Sequence, residues 1–385
     1  MRARRHLLDW VACVAGARNH PIRGRGRGLG TAFADAALLG NVLEMDDVHR
    51  TALLHPGPVI WPAALVAGPT DMAVLLEAGV RGYEAMIAVG TALDAHHYAQ
   101  WHPTATAGTI GAAAAAASVL GLNREATGWA LGNAASVAGG LWHMRHDDVQ
   151  TKQWHVYHAV ATGHTAARAA AVGITGPAAI LEGPQGLFAA MTRAPGKLGS
   201  AGEGWLIGEV SFKPFAACRH AHPAIDAALE LRAAGRLNAP FRVETYADAL
   251  TFCDRPDPRT EIEAKFSLQH AVAVIAAGRQ AEPTDFTPEA IAALAPLRAQ
   301  VTVAEDPAIS ARYPAHFGAR VNGLELIDTR GDPERPVSEA DIVAKLRCLV
   351  TWGGLAPGEA DRAVAAVLHG DDVTALTMLL EDWLG

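Results

Sequence analysis

The sequence predicts a mainly helical protein, one helical domain interrupted by an α+β insertion. Three observations predict it. Over residues 1–195 alanine and leucine dominate, and apolar residues recur at i, i+3, i+4 and i+7. After Gly204 the period shortens, and β-branched and aromatic residues gather between turn signals. From Ser338 the helical period returns. The expected division is therefore 1–205 helical, 206–335 α/β, and 336–385 helical again. At 385 residues the chain can bury a large core, and 50% hydrophobic against 19% charged residues excludes disorder.

The helical part reads in order. Ala34–Leu43, Asp71–Val89, Gly108–Leu120, Arg124–Ala138 and His155–Val172 carry the clearest periodicity. Gly173 and Gly176-Pro177 stop the last of these, and Pro177–Ala190 reads as a further short helix. Helices with so little polar surface must stack on one another or on a partner chain, so a homodimer is expected. In the insertion, Trp205–Phe212 alternates loosely like a strand, and Phe241–Phe252 is strand-like. Leu297–Ala304 and Ala319–Leu326 are β-like too, with Asp306-Pro307 and Asn322-Gly323 as turns. Ala224–Ala234, Ser267–Ala277 and Pro288–Ala293 read as helices. Ser338 with Asp341 has the spacing of a capping box, and helices run from there to Trp383.

Composition narrows the function. A net charge of −8 argues against general nucleic-acid binding, which needs a basic face. Arg23–Gly30 alternates arginine and glycine but lacks dinucleotide-site spacing and follows no strand. The basic start is followed by an apolar run that Asp9 and Arg18 break, so no signal peptide is read. Ala112–Leu120 is too short to span a bilayer. The expectation is a cytoplasmic protein with neither nucleic-acid nor membrane partners. Cys13, Cys218, Cys253 and Cys348 are too far apart in sequence for a zinc ribbon or a disulfide scaffold to be read.

Histidine carries the chemical signal. Most of the 17 histidines fall into dense groups. One is Asp46-Asp47-Val48-His49 with His55-Pro56. A second is Asp94, His96, His97 and His102. A third is His143, His146, Asp147, Asp148, Lys152, His155 and His158. The fourth is Lys213, Cys218, Arg219, His220 and His222. A metal reading would use His143/His146 or His155/His158, but both pairs lack the acid of an HExxH helix, and no metal is expected. The alternative is acid–base chemistry on an anion, because histidine titrates near neutral pH and lysine and arginine recognise carboxylates. Any single histidine here more often caps a helix or fills a contact. The whole set gathered in so weakly charged a chain points to a polar cavity.

Six segments resemble the MmgE/PrpD family. Leu43-Glu44-Met45-Asp46-Asp47-Val48-His49, with His55-Pro56-Gly57 and Pro62-Ala63, is similar to its LDFDDTH, HPG and PA block. Trp101 to Gly108 is similar to its HPTATxG helix start, and Thr151-Lys152 with His155 and Gly163 to its TKxxHAG segment. Gly173–Gly186 resembles its GFTGP and LEGxxG block. Lys213-Pro214 through Arg219, His222-Pro223 and Asp226 resembles KPYPxCRxxHxxxD, and Ala264–Ser267 with Gln269 resembles AKFSxQY. The matches run in family order from residue 43 to 270.

The resemblance implies a helical domain with a smaller α/β lid, usually a homodimer, working without metal or organic cofactor. The activity it implies is a lyase on a small di- or tricarboxylate, foremost dehydration of the 2-methylcitrate kind. Decarboxylation of the cis-aconitate kind or epimerisation of the iminodisuccinate kind would use the same scaffold, and a helical interaction protein retaining only the fold is the non-enzyme alternative. Matched residue by residue, it points to His102 and His55 for proton transfer, with Lys152, Asp46 and Asp47 beside them. Substrate binding falls to Lys213, Arg219, Cys218, His270 and Glu44. Val48 stands where the family usually has threonine. The positions of Cys218 and His270 carry histidine and tyrosine in cis-aconitate decarboxylases. The sequence begins near the family's L-L-D segment, at Leu7-Leu8-Asp9, so an N-terminal helical stretch is expected to be missing from it.

Overall fold

The computed structural model describes residues 1–29, 32–147 and 149–385. Gly30 of the arginine–glycine run and Asp148 of the third histidine group lie outside the described residues. The described residues form two compact units. One comprises Met1–Val42, Asp46–Val210 and Ile342–Gly385; the other comprises Leu43–Met45 and Ser211–Asp341.

The first unit is helical. Its N-terminal elements are α1 (Arg2–Gly16), α2 (Ala32–Leu39), α3 (Gly57–Val66), α4 (Met72–Ala92) and α5 (Ala95–Gln100). They are followed by α6 (Pro103–Val119), α7 (Arg124–Ser136), α8 (Thr151–Ala171) and the short α9 (Leu187–Met191). Local chemistry sets the starts. The side chains of Asp71, Asp94 and Asn123 accept the backbone N–H groups of Val74, His97 and Ala126, which caps α4, α5 and α7. At the centre lies α6, buried from Pro103 to Ala117 and packed by α3, α4, α7 and α8. Its alanine run follows from that crowding. A Cβ on Gly163 of α8 would sit 2.5 Å from the Ala112 Cβ and 2.6 Å from the Ala113 nitrogen, so α6 and α8 approach nearly backbone to backbone. Larger side chains on that seam would force the helices apart.

The second unit carries a small mixed sheet. Among the described residues the strand order is β2-β1-β3-β4, with β1 (Phe241–Thr245), β2 (Val301–Glu305), β3 (Ala319–Val321) and β4 (Leu324–Leu326). Strand β1 runs parallel to β2, with Val243 opposite Val303, and antiparallel to β3, with Val243 opposite Val321. Asn322 (φ 43°) and Gly323 (φ 87°) form the two-residue turn between β3 and β4 that their sequence announces. The helices of this unit are α10 (His222–Ala233), α11 (Ala247–Cys253), α12 (Glu261–Lys265), α13 (Leu268–Ala276), α14 (Pro288–Ala293), α15 (Ala295–Arg298) and α16 (Pro307–Ser310). The chain then returns through α17 (Glu339–Trp352), α18 (Gly358–Val364) and α19 (Val373–Leu384). Ahead of α17, Ser338 and Asp341 close the expected capping box reciprocally.

Several sequence expectations are corrected. Trp205–Phe212 is not a strand: Leu206–Glu209 is a 3-10 turn held in the helical unit. Arg2 donates to the carbonyls of Ile207 and Val210, and Glu84 accepts the Leu206 N–H, so the insertion opens at Ser211 rather than at 206. The strand expected over Phe241–Phe252 stops at Thr245, because Ala247–Cys253 is a helical segment whose first N–H meets the Ser310 hydroxyl. Leu297–Ala304 divides likewise into the end of α15 and the strand β2. Of Pro177–Ala190 only the part from Leu187 is helical, since Gly183, Pro184 and Gly186 turn the chain. Helix α3, which holds Pro58 and Pro62 and is apolar on every face, carries no helical period.

Candidate active site

The helical unit gathers five of the chemistry-bearing residues. His102 is the N-cap of α6, with Pro103 as the first helical residue. Its backbone is fixed by an N–H donated to the Gly140 carbonyl at 2.8 Å and by the bridge between Trp101 and Leu141. The side chain caps nothing. It is buried, 1% exposed, and lies against the Trp142 ring at 4.5 Å between centroids. Its Nδ1 is 3.3 Å from the Nδ1 of His155 on α8. Burial first, then the Lys152 cation, then His155 and His55 hold the His102 imidazolium well below the ordinary value of 6.5, and Asp46 opposes them. His102 is therefore a neutral imidazole at neutral pH, and the same four neighbours mark out the cluster.

His55 stands at the opposite end of a short loop. Its Nδ1–H donates to Asp46 Oδ2 at 2.6 Å, and its backbone N–H donates to the Thr104 hydroxyl in the first turn of α6. The loop is thus tied to the helix that presents His102. Lys152 and His155 come from the first turn and a half of α8, three residues apart and so on one face. Asp47 has a different situation from Asp46. Its Oδ1 accepts the Gly57 N–H at the start of α3, and its Oδ2 accepts from His6 at 2.8 Å and from Tyr83 at 2.6 Å. That carboxylate is buried and committed to joining α1, α3 and α4.

The insertion holds the rest. Lys213 is fully buried with its Nζ 3.7 Å from Glu44 Oε2. Glu44 has a left-handed backbone (φ 57°), a conformation that costs a non-glycine residue about 1 kcal/mol and is tolerated where the surroundings fix it. Arg219 is buried beside Cys218. Its Nη2 contacts Asp332, which also accepts from the Ser211 hydroxyl at 2.6 Å and the Thr329 N–H at 3.0 Å. The Arg219 Nε and Nη1 have no acceptor among the described residues. The Cys218 N–H donates to the Lys265 carbonyl, and its thiol meets that of Cys253. His220 donates or accepts at the Tyr246 hydroxyl, 2.8 Å away, and stacks on Phe252. His270 belongs to the packing of the insertion: its Nε2–H donates to the Asp285 carbonyl at 2.8 Å, and its Nδ1 faces Arg298. Burial is the main cause that holds it down to about 4. No three His, Cys, Asp or Glu side chains converge on a metal position among the described residues.

Two domain models of one family match the chain. The MmgE/PrpD N-terminal domain matches residues 24–197, and the MmgE/PrpD C-terminal domain matches residues 215–369. The chain belongs to the MmgE/PrpD family. This MmgE/PrpD chain is similar to the cis-aconitate decarboxylase of Homo sapiens, 29% identical over 253 residues, covering 59% of this chain and 51% of that protein. It is also similar to the cis-aconitate decarboxylase of Mus musculus, 32% identical over 185 residues (44% of this chain, 37% of that one). A cis-aconitate decarboxylase-like protein, oryM, of Aspergillus oryzae is 29% identical over 129 residues (30% and 27%). The chain spans about half the length, or less, of the curated relatives it matches.

Within this MmgE/PrpD member, motif reading and structure meet unevenly. His55, Asp46, His102 and Lys152 come together in the helical unit. Glu44, Lys213, Cys218 and Arg219 lie together in the insertion. His155 is a direct neighbour of His102; the sequence marks it as the histidine of the TKxxHAG segment, three residues after Lys152, but assigns it no role in the site. Asp332, the partner of Arg219, follows it by 113 residues and has no local signature.

Proposed function

We propose that this chain is a lyase acting on a small di- or tricarboxylate, moving a proton at the carbon next to a carboxylate. The observation that carries the reading is the neutral, buried His102 at the start of α6, grouped with Lys152 and the His55–Asp46 pair. A neutral imidazole is a base, and the adjacent lysine attracts a carboxylate while keeping that imidazole unprotonated. His55 is arranged for the complementary task. Asp46 accepts its Nδ1–H and so supports a positive charge when the other nitrogen holds a proton. In the insertion, the Arg219 Nε and Nη1 have no acceptor among the described residues, and Lys213 is a second basic side chain of that unit; both suit carboxylate recognition.

In a dehydration of the 2-methylcitrate kind, the α-proton passes to His102 and its electron pair becomes the double bond. The β-hydroxyl leaves with a proton from His55 as water. In the second reading, which the names of the curated relatives favour, the bond to a carboxylate breaks, carbon dioxide leaves, and a histidine protonates the carbanion. Both readings use only side chains of this chain. The test is proton NMR in D₂O with a panel of di- and tricarboxylates, with and without EDTA. Wild-type protein is expected to consume one of them in either condition, and His102→Gln to lose roughly 10²–10⁴ in kcat, the scale of general acid–base catalysis. A protein that neither consumes any of these carboxylates nor exchanges their α-protons would overturn the reading in favour of an interaction protein. Loss of turnover in EDTA, restored by metal, would overturn the metal-free form of it.

A further inference from the structure

We infer that His155 is a positioning residue for His102: its Nδ1 accepts the Nδ1–H of His102 and leaves the His102 Nε2 unprotonated to receive the substrate proton. The inference rests on the reading that His102 exchanges that proton. The two Nδ1 atoms are 3.3 Å apart, and two imidazoles can share such a contact only with one donating and the other accepting. Both rings are neutral near pH 7, because burial pushes both down. The contact therefore selects tautomers. With the proton on His102 Nδ1, its Nε2 lone pair is the free base; with the proton on His155 Nδ1, the His102 Nε2 is blocked by its own hydrogen. Only the first arrangement suits the proposed chemistry. It is also the one that continues to work after proton transfer, since the His102 imidazolium keeps its Nδ1–H on His155.

The surroundings make the pairing a built feature. Gly140, at φ 113°, passes directly beside the pair: its carbonyl accepts the His102 N–H, and a Cβ there would sit 3.4 Å from His155 Cε1 and Nδ1 and 2.6 Å from the Ala105 Cβ. A side chain at that point would collide with Ala105 in the first turn of α6, three residues after His102, and would strain a backbone in the left-handed region. Trp142 covers the other side of the His102 ring. Titratable groups act on the pair from two of the segments around it. Lys152 and His158 come from α8, and His55 with Asp46 from the loop ahead of α3.

The test compares His155→Leu, which removes the acceptor, with His155→Asn, whose amide oxygen can stand where Nδ1 stood. For His155→Leu kcat should fall roughly 10–100-fold with KM changed less than about 3-fold, the pattern of a contact that matters in the transition state. The acid limb of the kcat/KM profile should also move. His155→Asn should recover most of the loss. Histidine-¹⁵N NMR gives a readout independent of turnover: wild-type His102 should carry its proton on Nδ1, and His155→Leu should show a mixture of tautomers. A His155→Leu variant with wild-type kcat and pH profile, beside an inactive His102→Gln, would overturn this inference and leave the proposed function standing. An unchanged His102 tautomer in His155→Leu would overturn it as well. A fully active His102→Gln would instead refute the proposed function itself.

Discussion

Acid should destabilise the insertion through one histidine, His220, by an amount that the structure sets. Its ring is 7% exposed, stacked 4.9 Å from Phe252, and burial followed by the Arg219 and Lys213 cations holds it down to about 3. In the unfolded chain the same ring titrates near 6.5. A pKa lowered by folding means that stability is complete above the unfolded value and is lost as pH falls toward the folded one. Each pH unit in that window costs about 1.4 kcal/mol, so the loss between pH 7 and 4.5 is about 2.5 kcal/mol from this residue alone. Other groups titrate over the same range, and a variant separates them. His220→Phe keeps the stack on Phe252 and removes the titration; the hydrogen bond lost at Tyr246 is common to both pH values and cancels. Urea unfolding of both proteins at pH 7 and 4.5 gives the comparison. The wild type should lose about 2.5 kcal/mol more than His220→Phe. Equal losses in the two proteins, or a His220 NMR resonance that titrates above pH 5, would refute the reasoning.

Other outcomes follow from the same structure. Lys152→Ala should raise KM for the carboxylate strongly, because it removes ground-state binding, and should shift the acid limb of kcat/KM upward, because the cation that lowers His102 is gone; an unmoved acid limb would count against their proximity. Lys345→Met should cost about 3–5 kcal/mol at neutral pH in thermal or urea unfolding. It leaves the buried Asp9 of α1 without the cation 2.6 Å away. The deficit should shrink as pH falls toward 6, because the variant's carboxyl, without Lys345 to oppose burial, takes up a proton at higher pH than the wild-type one, which burial raises to about 6. We also propose that the protein is a homodimer, since Val137, Leu141, Val172 and Ile174 of the helical unit are large, apolar and more than half exposed. Light scattering at micromolar concentration should give twice the chain mass, and a stable monomer would contradict it.

The helical–mixed–helical order, several helix starts and the turn between β3 and β4 were legible in the sequence. These depend on information within a few residues: a capping side chain, a glycine with positive φ, a period of 3.6. The sequence also put forward His102 with Pro103, Asp46, Asp47, His55 and Lys152 as candidates, because the motifs around them are contiguous. It could not separate Asp46 from its neighbour Asp47. One carboxylate holds His55 and the other is consumed by His6, Tyr83 and the Gly57 N–H, and those partners come from positions 6 and 83. Only tertiary structure decided that. It also decided that Tyr246 ends a strand rather than continuing it, that His270 is held by Asp285 and Arg298, and that Arg219 rests on Asp332. The physical reason is common to all of them. A hydrogen bond or a buried charge is settled by whichever atoms lie within about 3 Å, and in a core formed by distant segments those atoms are rarely sequence neighbours.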